Sequence, residues 1–223
     1  MNQESLKCVI VASTGGSVMN ELLKNQFFKS NVHSVISDRN CPAIEKAERH
    51  GVYHRIIRAP DTRAFCDLLL EYLHDNRIDF VFSFFTRLFA GDLLRAYEDR
   101  IINLHPSLLP AFKGLDGFGD AVRYGVRHVG TTIHFIDEEM DRGKIIMQSV
   151  CPLDTSRDLA FTRHRIFEQQ CRSLLQVTRW LVDQRIAIEA GHVVVKGASF
   201  SDLEFSPSLD FEDAIRLRIP FAG

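Results

Sequence analysis

The 223-residue chain has no apolar run approaching the roughly 20 residues that span a bilayer, which excludes a single-pass membrane helix. It has no Cys-x-x-Cys pair. Its five cysteines (Cys8, Cys41, Cys66, Cys151 and Cys171) are odd in number and widely scattered, arguing against a disulfide framework or a zinc site and for reduced thiols. There is no basic excess: a formal net charge of −2 gives no electrostatic case for nucleic acid or an acidic membrane surface. Met1–Ser5 lacks the basic stretch and apolar core of a secretion signal, so a cytoplasmic protein is expected. The nine histidines show no metal-ligand spacing with carboxylates or cysteines, and no metal is implied. No repeat or low-complexity tract occurs. What remains is ordinary globular composition, 45% hydrophobic and 25% charged, in a chain long enough to bury a sizeable core.

The order of apolar runs and amphipathic stretches is βαβαβαβ, which predicts an α/β fold: an open, mostly parallel twisted sheet with helices on both faces, Rossmann-like. Strands are expected at Leu6–Ala12, His33–Ser37, Val52–Ile57 and Asp79–Phe85, at the run ending in Asn103 and His105, and at Val129–Ile136 and Lys144–Cys151. Helices are expected from Ser17, read as its cap, to Asn25, and over Ala43–His50 behind Pro42. Others follow from Asp61 or Thr62 to Asn76, over Gly91–Tyr97, over Gly117–Tyr124 and over a long stretch from Arg157 to Asp183. Two short strands, Ile186–Ala190 and Val193–Lys196, close the expected catalytic domain at residues 1–197. Residues 198–223 form a C-terminal extension in which Phe205, Leu209, Phe211 and Phe221 suggest packing on the body or on a partner, leaving a homodimer open.

Asn103 and His105 are two apart at the end of an apolar strand, so their side chains share a face, and Pro106 stops further pairing. They therefore sit at the C-terminal lip of a strand, where open α/β sheets bind ligands. An amide donor beside an imidazole suits a carbonyl oxygen that turns negative in a tetrahedral transition state, and Asp141, in the 137–143 loop, could hold that imidazole protonated. The plainer alternative is a His and an Asn satisfied by local backbone. Ser13-Thr14-Gly15-Gly16-Ser17, between the first strand and first helix, offers amides to a phosphate or simply turns the chain. With neither GxGxxG nor a Walker lysine, a dinucleotide or triphosphate is not expected.

Asn103-Leu104-His105-Pro106-Ser107-Leu108-Leu109-Pro110, then Gly130-Thr131-Thr132-Ile133-His134-Phe135, then Met140-Asp141-Arg142-Gly143-Lys144-Ile145-Ile146-Met147-Gln148, resembles the folate-dependent formyltransferases. The likeness runs from about Lys7 to Trp180 and is strongest to members that formylate phosphoribosylglycinamide in de novo purine synthesis. It implies the formyltransferase fold, and it implies Asn103, His105 and Asp141 as the catalytic trio. It also implies 10-formyltetrahydrofolate as co-substrate, with Arg63, Thr86, Arg87, Leu88, Phe89, Asp137 and Met140 binding it. Physically, Phe84, Phe85, Leu88, Phe89, Leu104 and the 137–141 backbone would form an apolar slot for a pterin. Phenylalanines such as Phe82, Phe84 and Phe85 are more often core than part of a cofactor pocket. The acceptor's phosphate falls to Gly15, Gly16 and Ser17, although Val18 stands where the family has Asn. Glu168 and Gln170 are the nearest matches to a carboxylate that grips the acceptor ribose.

The family's His-rich turn is absent here. Residues 114–120 read Gly-Leu-Asp-Gly-Phe-Gly-Asp, with Asp116 and Asp120 read either as acceptor contacts or as turn and helix-start residues. Four activities are therefore carried forward. They are transfer to phosphoribosylglycinamide, transfer to another amine such as an amino sugar or amino acid, hydrolysis of 10-formyltetrahydrofolate, and folate binding without catalysis. Hydrolases of this kind carry an N-terminal regulatory domain, for which a first strand at Leu6 leaves no room. The long basic C-terminal domain of the methionyl-tRNA formyltransferases has no counterpart in this sequence.

Overall fold

The computed structural model describes residues 6–156 and 158–221. The expectations for Met1–Ser5 and for a helix beginning at Arg157 lie outside the described residues. From the N-terminus the chain runs through β1 (Cys8–Ala12), α1 (Ser17–Leu22), α2 (Gln26–Ser30), β2 (Val32–Ser37), α3 (Pro42–Arg49) and β3 (His54–Ile56). It continues through α4 (Thr62–Asp75), β4 (Phe80–Phe84), α5 (Asp92–Ala96), β5 (Ile101–His105) and α6 (Gly117–Tyr124). After these come β6 (His128–Phe135), β7 (Ile145–Pro152), α7 (Leu159–Val182), β8 (Ile186–Glu189), β9 (His192–Val195), β10 (Phe205–Ser206) and α8 (Glu212–Arg216).

Eight strands form one sheet in the order β10-β7-β6-β5-β4-β1-β2-β3, and β8 and β9 pair as a separate antiparallel hairpin. The pairs β1–β2, β1–β4, β2–β3 and β4–β5 are parallel, while β6–β7 and β7–β10 are antiparallel. This is the mostly parallel α/β sheet that the alternation of runs predicts. All five side chains of β1 are buried. Successive strand residues point to opposite faces, so both faces of that strand are covered.

Local chemistry sets most boundaries. Asp61 caps α4 by accepting from the Ala64 amide at 2.8 Å, and Pro42 opens α3 at a position where its missing N–H costs nothing. The helix expected over 17–25 ends at Leu22, and a second helix, α2, which was not expected, follows it where the Asn25 side chain accepts from the Phe28 amide at 3.0 Å. Ser17 does not cap α1. Gly16, in the left-handed conformation at φ 57°, holds that position, and Ser17 is the first helical residue.

Two compact units divide the chain: residues 1–103 with 135–140, and residues 104–134 with 141–223. The core of the first gathers Phe65, Leu69, Leu73, Val81, Tyr97 and Ile101. The second has a cluster of Phe118, Ala121, Val129, Cys151, Leu153 and Ile166. In the second unit the C-terminal segment is tied to α7. Trp180 Nε1 donates to Asp210 Oδ1 at 3.1 Å, and Gln176 Oε1 accepts from the amides of Asp210 and Phe211. Arg172 donates to the carbonyls of Ala214 and Ile215.

Candidate active site

The segment after β5 is held by two buried threonines of β6. Thr131 donates to the His105 carbonyl at 2.9 Å and Thr132 to the Ser107 carbonyl at 2.7 Å. Thr132 Oγ1 also accepts from the Leu109 amide, and Gln148 Nε2 donates to the Leu109 carbonyl. Gly130 before them has no room for a side chain, since a Cβ there would lie 1.9 Å from the Ser149 carbonyl oxygen. The Gly-Thr-Thr triplet thus permits close pairing of β6 with β7 and fixes the backbone that carries His105.

His105 is buried, 3% exposed. Its Nδ1 lies 3.5 Å from Asp141 Oδ2, and its Nε2 donates to the Phe112 carbonyl at 2.7 Å. Both ring nitrogens face oxygen atoms. Asp141 sits in the turn between β6 and β7 with φ 53°, a left-handed conformation that Asp tolerates better than most residues. Its Oδ2 also accepts from the Gly114 amide at 2.8 Å, and its Oδ1 lies 3.7 Å from Nε2 of His134, itself 1% exposed. The turn through 107–117 closes on this group: Ser107 Oγ donates to the Ala111 carbonyl, and a Cβ on Gly117 would meet His105 Nε2 at 2.7 Å. Asn103 is half-buried, two residues before His105 on the same strand, in register with Ser83 of β4.

In the first unit, Gly15 and Gly16 turn the chain from β1 into α1. Lys46 of α3 donates to the Gly15 carbonyl at 2.6 Å, placing an ammonium group at this turn. Val18 is buried in the core and presents no polar group there. Ser13 Oγ accepts from the Thr86 amide, joining the turn to the end of β4. Leu88 is exposed, whereas Phe89 is buried in a stack that runs Phe65–Phe85–Phe89 at centroid distances of 4.9 and 5.2 Å. Phe82, fully buried, stacks on Phe28. Arg87 pairs with the buried carboxylate of Asp38 at 3.1 Å, which Arg39 also holds. Burial pushes the Asp38 carboxyl up, but the Arg39 hydrogen bond and the Arg39 and Arg87 charges outweigh it, leaving it below the ordinary carboxylate range. Arg63 pairs with Asp67 and Asp92. Asp137 is exposed and accepts from the Glu139 amide, and Met140 is exposed.

Glu168 and Gln170 lie on α7 in the second unit. Glu168 Oε2 accepts from the Ile219 amide at 3.0 Å and Oε1 lies 3.9 Å from Arg172, so this carboxylate is engaged by the C-terminal segment. Asp116 caps α6 through the Gly119 amide, and Asp116 and Asp120 both pair with Arg123, which is their turn and helix-start reading. Sequence reasoning missed Lys46 at the glycine turn and His134 beside Asp141. The available signal for His134 was its place in an apolar strand seven residues before Asp141, a spacing that a tight return after β6 brings back on itself. Among the described residues, no group of three His, Cys, Asp or Glu side chains is placed to hold a metal ion.

A family model described as formyl transferase matches residues 6–178. The phosphoribosylglycinamide formyltransferase of Bacillus subtilis (strain 168) is 33% identical over 170 residues, covering 72% of this chain and 86% of that protein. The chloroplastic phosphoribosylglycinamide formyltransferase of Vigna unguiculata is 31% identical over 197 residues, and the match covers 81% of this chain and 62% of that protein. The crystal structure of glycinamide ribonucleotide transformylase 1 from Symbiobacterium toebii superposes with a TM-score of 0.81 at 30% identity, covering 87% of this chain and 95% of that one. Sequence and fold agree over the same stretch, and the chain belongs to the formyl transferase family.

Proposed function

We propose that the protein transfers the formyl group of 10-formyltetrahydrofolate to the primary amine of phosphoribosylglycinamide, a step of de novo purine synthesis. The observation that carries this reading is the buried contact between His105 Nδ1 and Asp141 Oδ2 at 3.5 Å, on the strand that also bears Asn103. The amine nitrogen attacks the formyl carbon on N10 of the folate. The Asn103 amide and protonated His105, whose Nε2–H exchanges the Phe112 carbonyl for the substrate, stabilise the oxyanion, an effect worth roughly 10²–10³ in rate for one such donor. As the C–N10 bond breaks, His105 gives its proton to N10, and Asp141, through a water molecule, takes the proton lost by the amine.

Arg63, Thr86, Arg87, Leu88, Phe89, Asp137 and Met140 are assigned to the folate. Gly15, Gly16 and Ser17 are assigned to the acceptor's phosphate, with Glu168 and Gln170 toward its ribose. Five free, buried cysteines support a reducing compartment, the cytoplasm. A second reading, transfer to a different amine, is favoured by the buried Val18 in the glycine turn and by the absence of histidine from 114–120. A site that loses hydroxyl or phosphate partners forfeits much of its discrimination.

The test is turnover of 10-formyltetrahydrofolate by purified protein, alone, with phosphoribosylglycinamide, and with amino sugars or amino acids. Turnover that requires phosphoribosylglycinamide is the expected result. Turnover without acceptor establishes a hydrolase, and turnover with another amine reassigns the acceptor. Folate binding with no turnover in any mixture removes the catalytic reading.

A further inference from the structure

We infer that His134 is a positioning residue for the Asp141 carboxylate, and through it for His105, in the formyl transfer proposed above, on which this inference rests. The two oxygens of Asp141 have different surroundings. Oδ2 accepts from the Gly114 amide and faces His105, whereas Oδ1 faces His134 Nε2 at 3.7 Å. The terminal torsion of an aspartate is soft and roughly two-fold, so partners on one oxygen alone leave the carboxylate free to turn. An imidazole 3.7 Å from the other oxygen narrows that freedom.

Two further observations point the same way. The pairing of β6 with β7 slips by one residue between Ile133 and His134, the kind of irregularity that re-aims a side chain next to a site. His134 is also 1% exposed in a strand whose neighbours Ile133 and Phe135 are apolar and buried. A polar ring in such a place costs free energy unless it is paired, and a branched aliphatic residue would fill the space without that cost. The carboxylate of Asp141 is a polar group that faces the ring there.

The test compares His134→Leu, His134→Gln and Asp141→Asn, singly and in combination. It measures kcat, KM for folate and amine, and thermal midpoint, at enzyme concentrations that resolve the residual rate of Asp141→Asn. The expected result is a kcat loss on the order of 10–100-fold in His134→Leu, the usual cost of removing an outer partner from a histidine–carboxylate array. KM for both substrates stays close to that of the natural protein. His134→Gln, which keeps an amide N–H near the position of Nε2, recovers most of that loss. In the Asp141→Asn background, His134→Leu costs nothing more. If His134→Leu does not fold, His134→Asn, polar but too short to reach Oδ1, carries the same expectation.

Equal losses in both backgrounds, tracking the thermal midpoint and not rescued by Gln, overturn the inference in favour of packing alone. Full activity of His134→Leu in an otherwise active enzyme overturns it as well. A natural protein that formylates no amine overturns the proposed reaction itself, and is distinguished from the other failures by the unsubstituted control.

Discussion

Asp141 shares its Oδ2 between His105 and the chain itself: the oxygen lies 3.5 Å from the imidazole Nδ1 and accepts from the Gly114 amide at 2.8 Å. One carboxylate oxygen therefore links the imidazole ring to the turn that covers it. Asp141→Asn removes the charge while keeping the shape, and an amide oxygen can still receive the Gly114 N–H. The variant should stay folded and lose kcat on the order of 10²-fold or more, as expected for a group that carries protons in the transition state. Circular dichroism with steady-state rates checks this, and near-normal turnover in a folded variant rejects the assignment.

Asn103→Ala should lower kcat by roughly 10²–10³, the cost of one oxyanion donor. Asn103 is half-buried at the end of β5, so its thermal midpoint should change little. A variant that loses stability and activity together points instead to a residue that holds the strand end.

Gly117→Ala places a methyl group 2.7 Å from His105 Nε2 and 2.8 Å from the Phe112 carbonyl oxygen. Neither a ring held on both sides nor a backbone carbonyl can yield cheaply. We expect a loss of about 1–3 kcal/mol in stability, typical of overpacking, together with reduced turnover. Urea denaturation and kinetics on the same preparation test the pairing of the two effects.

Asp38 predicts a pH dependence of stability. Its carboxyl titrates below the ordinary range in the folded protein, because the hydrogen bond and charges of Arg39 and Arg87 outweigh its burial. The stabilisation is thus fully present above the unfolded value of about 3.9 and is lost as pH falls through the lower folded value. Asp38→Asn should be less stable than the natural protein at pH 7, and the two denaturation midpoints should converge as pH falls below the unfolded value. Parallel curves over that range contradict the assignment.

Trp180 is the only tryptophan in the chain, fully buried, with its indole N–H on Asp210. Asp210 also receives Gln176 and pairs with Arg185 at 2.8 Å. Asp210→Ala should cost about 1–3 kcal/mol by leaving buried donors unpaired, and should shift tryptophan emission to longer wavelength. Unchanged emission would mean that the C-terminal segment stays docked without this residue.

Much of this was legible in the sequence where one local cause dominates. The apolar runs of β1 and β4, Pro42 before α3, Asp61 before α4 and the span of α6 declare themselves through periodicity and caps. α2 did not, because five residues carry too little periodicity of their own and its start shows only once the Asn25 side chain is seen taking the Phe28 amide. β10 and α8 stayed hidden as well. Two residues pair with β7 and five form a helix against α7, so each exists through tertiary contact with too little pattern of its own. In the site, strand parity relates Asn103 to His105, and the family motif supplied Asp141. His134 needed the return of the chain after β6, a long-range geometry that spacing along the sequence does not carry.

The partners closing over His105 and Asp141 from the turn are main-chain atoms: the carbonyl of Phe112 and the amide of Gly114. A backbone atom survives any substitution that preserves the path of the chain. Positions such as Ala111, Lys113 and Leu115 can therefore change in identity without removing either partner, while Gly114 at φ 100°, Asp116, which caps α6, and Gly117 cannot. Side chains on this turn can be rewritten over generations while the atoms that hold the ring and the carboxylate stay in place.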